Sequence, residues 1–176
     1  LDRLTRLEID YPMLFELCNE TTGVTTHCGV MEFSAPEGTA YLPFWMMGNL
    51  VLEEGKNVRV RNVTLPKATY VKLRPRSSAF LDISNPRAVL ETKLRGFSCL
   101  TQGGQICIPY NGRNYYIDIR ELKPARACSI IESDVNVDFE APADYKEPDW
   151  KAMRGAKSGG GGGVQVGIRT GLRRGI

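Results

Sequence analysis

Apolar positions in the first 75 residues come in short runs, broken by clusters of turn-forming residues. Leu1, Leu4 and Leu7 fall at helical spacing, so residues 1–8 read as the end of a helix. Tyr11-Pro12 stops it, because the residue before a proline is pushed out of the helical region. Residues 13–18 read as a strand, Asn19-Glu20-Thr21-Thr22-Gly23 as a polar turn, and 27–33 as the returning strand of a hairpin. Pro36-Glu37-Gly38 turns the chain again ahead of a short strand at 39–42. Pro43 suits the first turn of a helix, where its missing N–H would be unpaired anyway. That helix runs to about Leu50, and Glu53-Glu54-Gly55 closes the unit. Val58, Val60 and Val63 give a strand with one irregular step, and residues 69–73 give another.

Pro75-Arg76-Ser77-Ser78 reads as a joint. The second stretch carries the clearest helix signature in the chain. Asn85 stands at the cap, Pro86 at the first position, Ala88, Val89, Leu90 and Leu94 follow, and Gly96 lies at the exit. Ile106-Cys107-Ile108 reads as a strand, Asn111-Gly112 as a type I′ hairpin turn, and 115–119 as the return. Residues 129–137 read as one final strand. Pro142, Pro148 and the five glycines at 159–163 then end the order, since such a run cannot bury enough apolar surface to offset its backbone entropy. The expected architecture is mostly β with α+β: a first unit at 1–75, a smaller α+β unit at 76–142, and a disordered Gly-rich basic tail at 143–176.

Composition removes several function classes. Apolar residues make up 42% and charged residues 24%, as in ordinary globular domains. No run approaches the roughly 18 apolar residues of a membrane span, so no membrane insertion is expected. The net charge of +3 comes from the tail: residues 151–176 hold six basic residues and no acid, leaving the body at −3. A mildly acidic body gives no electrostatic case for nucleic acid. Arg169, Arg173 and Arg174 interleave with glycine too few times for an RNA-binding segment. Cys18, Cys28, Cys99, Cys107 and Cys128 are odd in number, widely spaced and without a C-x-x-C pair, which reads as buried reduced thiols in a reducing compartment. His27 and Cys28 are adjacent, and adjacent strand residues face opposite ways, so a shared metal or catalytic centre is not expected. No metal, cofactor or catalytic motif is read.

Eight stretches carry a resemblance. They are Tyr11-Pro12-Met13-Leu14-Phe15, His27-Cys28-Gly29-Val30, Tyr41-Leu42-Pro43-Phe44-Trp45-Met46-Met47, Leu52-Glu53-Glu54-Gly55, Phe80-Leu81-Asp82-Ile83, Asn85-Pro86, Ser129-Ile130-Ile131-Glu132 and Asn136-Val137-Asp138-Phe139. Their order and spacing over residues 1–148 resemble the N-terminal ubiquitin-binding region of the ubiquitin fusion degradation protein 1 family. The resemblance implies a partial double-psi β-barrel followed by the smaller α+β unit, and a non-enzymatic adaptor. It implies binding of ubiquitin and polyubiquitin chains. In the whole protein it implies a partner adaptor and the AAA ATPase valosin-containing protein, within proteasomal and ER-associated degradation. It places the protein in cytoplasm and nucleus, partly at the cytosolic face of the endoplasmic reticulum. Family members carry strands ahead of the position of Leu1, so the isolated chain is expected to expose a strand edge and to aggregate. The family's ATPase-binding box F-x-G-x-G-x-x-L has no counterpart, because no Phe follows Phe139.

Two residues are candidates for ubiquitin contact, Phe44 and Trp45. On a helix from Pro43, Met46, Met47 and Leu50 share one face and enter the core, while Phe44 and Trp45 lie partly off it. An exposed aromatic and Met cluster suits the apolar patch of ubiquitin; plain packing is the alternative. A double-psi barrel can also host an aspartic-protease loop of the form D-[ST]-G, which Asp82-Ile83-Ser84 does not match.

Overall fold

The computed structural model describes residues 11–144 and the strand Val166–Arg169. In the first unit, β1 (Leu14–Cys18) lies between β2 (Thr25–Gly29) and β3 (Arg59–Val63) in a three-stranded antiparallel sheet. The resemblance implied a partial double-psi barrel here; the described strands are this sheet. The turn ahead of β2 is tight. Asn19 N–H donates to Val24 O, Gly23 N–H to Asn19 O, and Gly23 sits at φ +74°. Pairing therefore begins at Cys18↔Thr25 and ends with β1 itself at Leu14↔Gly29. This is why the second strand occupies 25–29 rather than the expected 27–33: Val30, Met31 and Phe33 run past the end of their partner and lie exposed. The short strand expected at 39–42 is irregular, with Thr39 N–H held by Pro36 O in a turn.

Helix α1 (Phe44–Leu50) starts one residue after Pro43, whose carbonyl accepts from both Met46 N–H and Met47 N–H. Met46 and Leu50 bury against Leu17 of β1. The helix exit is closed from outside. The buried Asn19 donates through Nδ2 to the carbonyls of Leu50 and Val51, each at 3.0 Å, and accepts from Thr21 N–H. A long-range side chain thus supplies partners that a helix end lacks.

The second unit is built on a mixed five-stranded sheet. Its strands are β4 (Tyr70–Pro75), β6 (Gln105–Tyr110), β7 (Arg113–Lys123), β9 (Asp134–Phe139) and β10 (Val166–Arg169), in the order β10-β9-β4-β7-β6. A two-stranded ribbon, β5 (Cys99–Thr101) with β8 (Ala127–Ser129), and helix α2 (Pro86–Leu94) complete it. Strand β4 corrects the sequence reading. Assigned there to the first unit, it is the central strand of this sheet, parallel to β9 and antiparallel to β7. Its Val71 and Leu73 belong to one core with Leu90, Ile108, Ile117 and Ile119.

The capping residues behave as the sequence predicts. Asn85 Oδ1 accepts from Ala88 N–H at 3.2 Å, Pro86 opens α2, and the helix ends at Leu94. Asn111 and Gly112 take φ +47° and +73°, as a type I′ turn requires, and join β6 to β7. The single strand expected at 129–137 is two. β8 stops at Ser129, and a turn with Glu132 at φ +49° redirects the chain into β9. At the expected joint, Ser78–Asp82 forms a 3₁₀ turn capped by the Ser77 hydroxyl. The helix expected at 1–8 lies outside the described residues, as does most of the tail. Within 143–176, three places depart from a disordered reading. Ala143 N–H donates to Pro75 O, Asp144 accepts from Ser78 N–H, and β10 pairs with β9.

Candidate functional site

The two units meet along the facing edges of β2 and β5, and side chains join that seam. Thr101 Oγ1 accepts from His27 N–H at 3.1 Å and lies 3.0 Å from His27 Nδ1. The hydroxyl can either donate to Nδ1 or accept from it with its second lone pair, according to the imidazole tautomer. The other ring nitrogen, Nε2, lies 3.7 Å from Glu16 Oε2. Burial is the largest influence on this ring and lowers its pKa below the ordinary value; Glu16 opposes that and Arg61 reinforces it. At neutral pH the 3.7 Å approach is therefore not an ion pair, and Glu16 is instead paired with Arg61 at 3.1 Å. A second stitch lies further along: Asn49 of α1 donates to Gln105 O at 2.7 Å and accepts from Gln105 N–H at 3.1 Å, as a neighbouring strand would. At the end of β2 the seam closes on bare backbone, since a Cβ on Gly29 would collide with the Ser98 side chain.

Beside these stitches opens a cleft of about 590 Å³. Met31, Tyr41 and Pro43 line its first lip, Phe97 and Ser98 the second, and Trp45 and Met46 its wall. Cys28 and Cys99 also line it, but burial pushes both thiols up, Cys99 to about 12. Neither is activated as a nucleophile at neutral pH. The cleft offers apolar surface and hydrogen-bonding groups, which suits binding. Among the described residues, no group of three or more His, Cys, Asp or Glu is placed to hold a metal ion.

The two sequence candidates separate here. Phe44, in the first turn of α1, is 85% exposed. Trp45 is half-buried, meets Phe97 edge-to-face at 6.0 Å, and packs against the cores of both units. Phe44 is thus available to a partner, while Trp45 holds the units together. Met31, Phe33 and Tyr41 join Phe44 on the exposed surface. The sequence reading missed them by placing 30–33 and 39–42 in strands. It also missed the stitching residues, because His27–Thr101 and Asn49–Gln105 are 74 and 56 residues apart and no local pattern marks them.

The chain divides between two family models where the two sheets divide it. Residues 1–66 match the model described as ubiquitin fusion degradation protein UFD1, N-terminal subdomain 1, and residues 67–142 match N-terminal subdomain 2 of the same protein. The chain belongs to the ubiquitin fusion degradation protein 1 family. It is 58% identical over 149 residues to the ubiquitin recognition factor in ER-associated degradation protein 1 of Homo sapiens, an alignment covering 85% of this chain and 48% of that one. It is 56% identical over 147 residues to the ubiquitin fusion degradation protein 1 homolog of Dictyostelium discoideum, covering 84% and 44%. It is 46% identical over 157 residues to ubiquitin fusion degradation protein 1 of Saccharomyces cerevisiae, covering 88% and 44%. The chain spans about half the length of these curated family members. No described helix is long and apolar enough to cross a membrane.

Proposed function

We infer that this family member is a ubiquitin- and polyubiquitin-recognition module that works by binding and supplies no chemistry of its own. The observation that carries the reading is 58% identity, across both units, to a protein named as a ubiquitin recognition factor in ER-associated degradation. Phe44, 85% exposed in the first turn of α1, supports it as an apolar side chain left open to a partner. In the whole protein the module would hold ubiquitylated substrates beside the AAA ATPase valosin-containing protein, with a partner adaptor. It would do so in cytoplasm and nucleus and at the cytosolic face of the endoplasmic reticulum.

Titration with mono- and polyubiquitin tests the reading. Recognition of a small apolar patch leaves about −4 to −6 kcal/mol, or roughly 1 mM to 50 μM per site. Linked ubiquitins bind more tightly through effective concentration. Phe44→Ala is expected to weaken binding and leave the fold intact. Trp45→Ala is expected to cost about 2–4 kcal/mol of stability, because a half-buried indole leaves both cores. A folded chain that shows no response to polyubiquitin at millimolar monomer equivalents overturns the reading.

A further inference from the structure

The mixed sheet of the second unit treats its two sides differently. On the β6 side the edge is closed. Gln105 gives both its N–H and its carbonyl to the Asn49 side chain, and Pro109 has no N–H to offer a neighbour. On the other side β9 carries no such block. Residues 134–139 contain neither Pro nor Lys, which commonly blunt an exposed edge. Toward β4, Asn136 N–H donates to Thr69 O and Glu140 N–H to Leu73 O. Amides alternate sides along a strand, so those of Val135 and Val137 point the other way. Residues 166–169 arrive there as β10, with Val166 opposite Val137 and Ile168 opposite Val135. No tight hairpin imposes this pairing, because residues 140–165 separate the two strands.

Pattern and charge agree with the pairing. In β9, Val135 and Val137 are buried while Asp134 and Asn136 are exposed. The tail alternates with the same period at Val164, Val166 and Ile168, and the register keeps the two in step. Both charges of β9 are acidic, Asp134 and Asp138, whereas residues 151–176 hold six basic residues and no acid. The register sets Arg169 opposite Asp134, and unlike charges across a strand pair are favourable.

We propose that the outer edge of β9 is a strand-accepting site for an extended, basic segment with apolar residues at alternate positions, and that residues 166–169 fill it in cis and compete with any partner segment of that kind. The proposal stands apart from the ubiquitin reading, since it concerns backbone pairing on the second unit. Main-chain hydrogen bonds at Val135 and Val137 supply affinity, and the acidic edge selects basic segments over acidic ones. A tethered tail acts at a local concentration on the order of millimolar, which a partner segment must exceed or outbind.

The test uses the full 176-residue chain, amide exchange read residue by residue, and a synthetic peptide of residues 163–173. Val166→Pro with Ile168→Pro removes two strand N–H donors and leaves residues 11–144 untouched. Exchange at Val135 and Val137 is expected to become at least about tenfold faster, while Ile108 and Ile117 in the core keep their rates and report an intact fold. The peptide, added to this variant, is expected to restore protection, less so at high salt. A peptide carrying the same two prolines is expected to restore none. Equal exchange at Val135 and Val137 in wild type and variant overturns the proposal. Loss of protection that millimolar peptide fails to restore also overturns it, since the edge then accepts nothing in trans. A wild-type dimer whose protection disappears on dilution puts the strand of a second copy on this edge and overturns the cis arrangement.

Discussion

Single residues hold α1 in place, and two of them make opposite predictions. Asn19 is buried and satisfies the carbonyls of Leu50 and Val51 at once. Removing its amide leaves both without that partner, and an unsatisfied buried group costs about 1–3 kcal/mol. Asn19→Ala is therefore expected to lower unfolding stability by that amount in urea titrations, and Asn19→Asp, which loses both donors, by at least as much. Val51 is strained in the other sense. It holds the left-handed conformation, φ 51° and ψ 44°, with 67% of its surface exposed. A β-branched residue is poorly suited there, and glycine adopts the conformation freely. Val51→Gly is expected to raise stability by about 1 kcal/mol, seen as a higher Tm. An unchanged or lower Tm would mean that the valine packs more usefully than its exposure indicates. Neither residue stands out in the sequence: Asn19 reads as an ordinary turn residue, and nothing nearby reports that it reaches a helix thirty residues on.

At the scale of elements, the β2–β5 seam is the feature that chemistry can perturb. His27 is neutral between Thr101 and Glu16, with Arg61 also bearing on it, and its pKa in the folded chain lies below the ordinary value near 6.5. The unfolded chain therefore binds a proton at higher pH than the folded chain does. By linkage, this group's contribution is fully present above about pH 6.5 and is lost as pH falls through that value toward the lower folded pKa. His27→Gln is expected to flatten the pH dependence of stability between pH 7 and 5 while keeping a side chain that can face Thr101. Identical profiles for the two proteins would show that His27 does not set this dependence. The strand itself was legible in outline. Its extent was not, because β2 ends where β1 stops offering partners, and that limit is a property of the pair.

For the whole molecule, the division between the sheets matters most. The core of the second unit includes Ala68, Val71 and Leu73 from β4 and its approach, together with α2 and the central strands. Among the described residues, the buried cluster under α1 is Leu17, Met46 and Leu50, with Cys28, Leu42, Trp45, Leu52 and Val58 partly buried against it. Residues 67–144 alone are accordingly expected to fold cooperatively, with a dispersed amide spectrum and a single melting transition. Residues 11–66 alone are expected not to, since so few buried side chains cannot offset the ordering entropy of the segment. An unstructured 67–144 fragment would show that the seam is needed to fold both units. The sequence by itself determined the mostly β plan with α+β, the cap at Asn85, the turn at Asn111-Gly112 and the family, because these rest on local backbone preference and on residues in fixed order. It also marked Phe44 and Trp45 as the aromatic pair worth watching. Only the tertiary structure decided that one is exposed and the other half-buried against Phe97, that β4 belongs to the second sheet, and that Val30 and Met31 lie bare at a cleft. Each depends on which distant segment comes to lie alongside, and a local pattern carries no record of that.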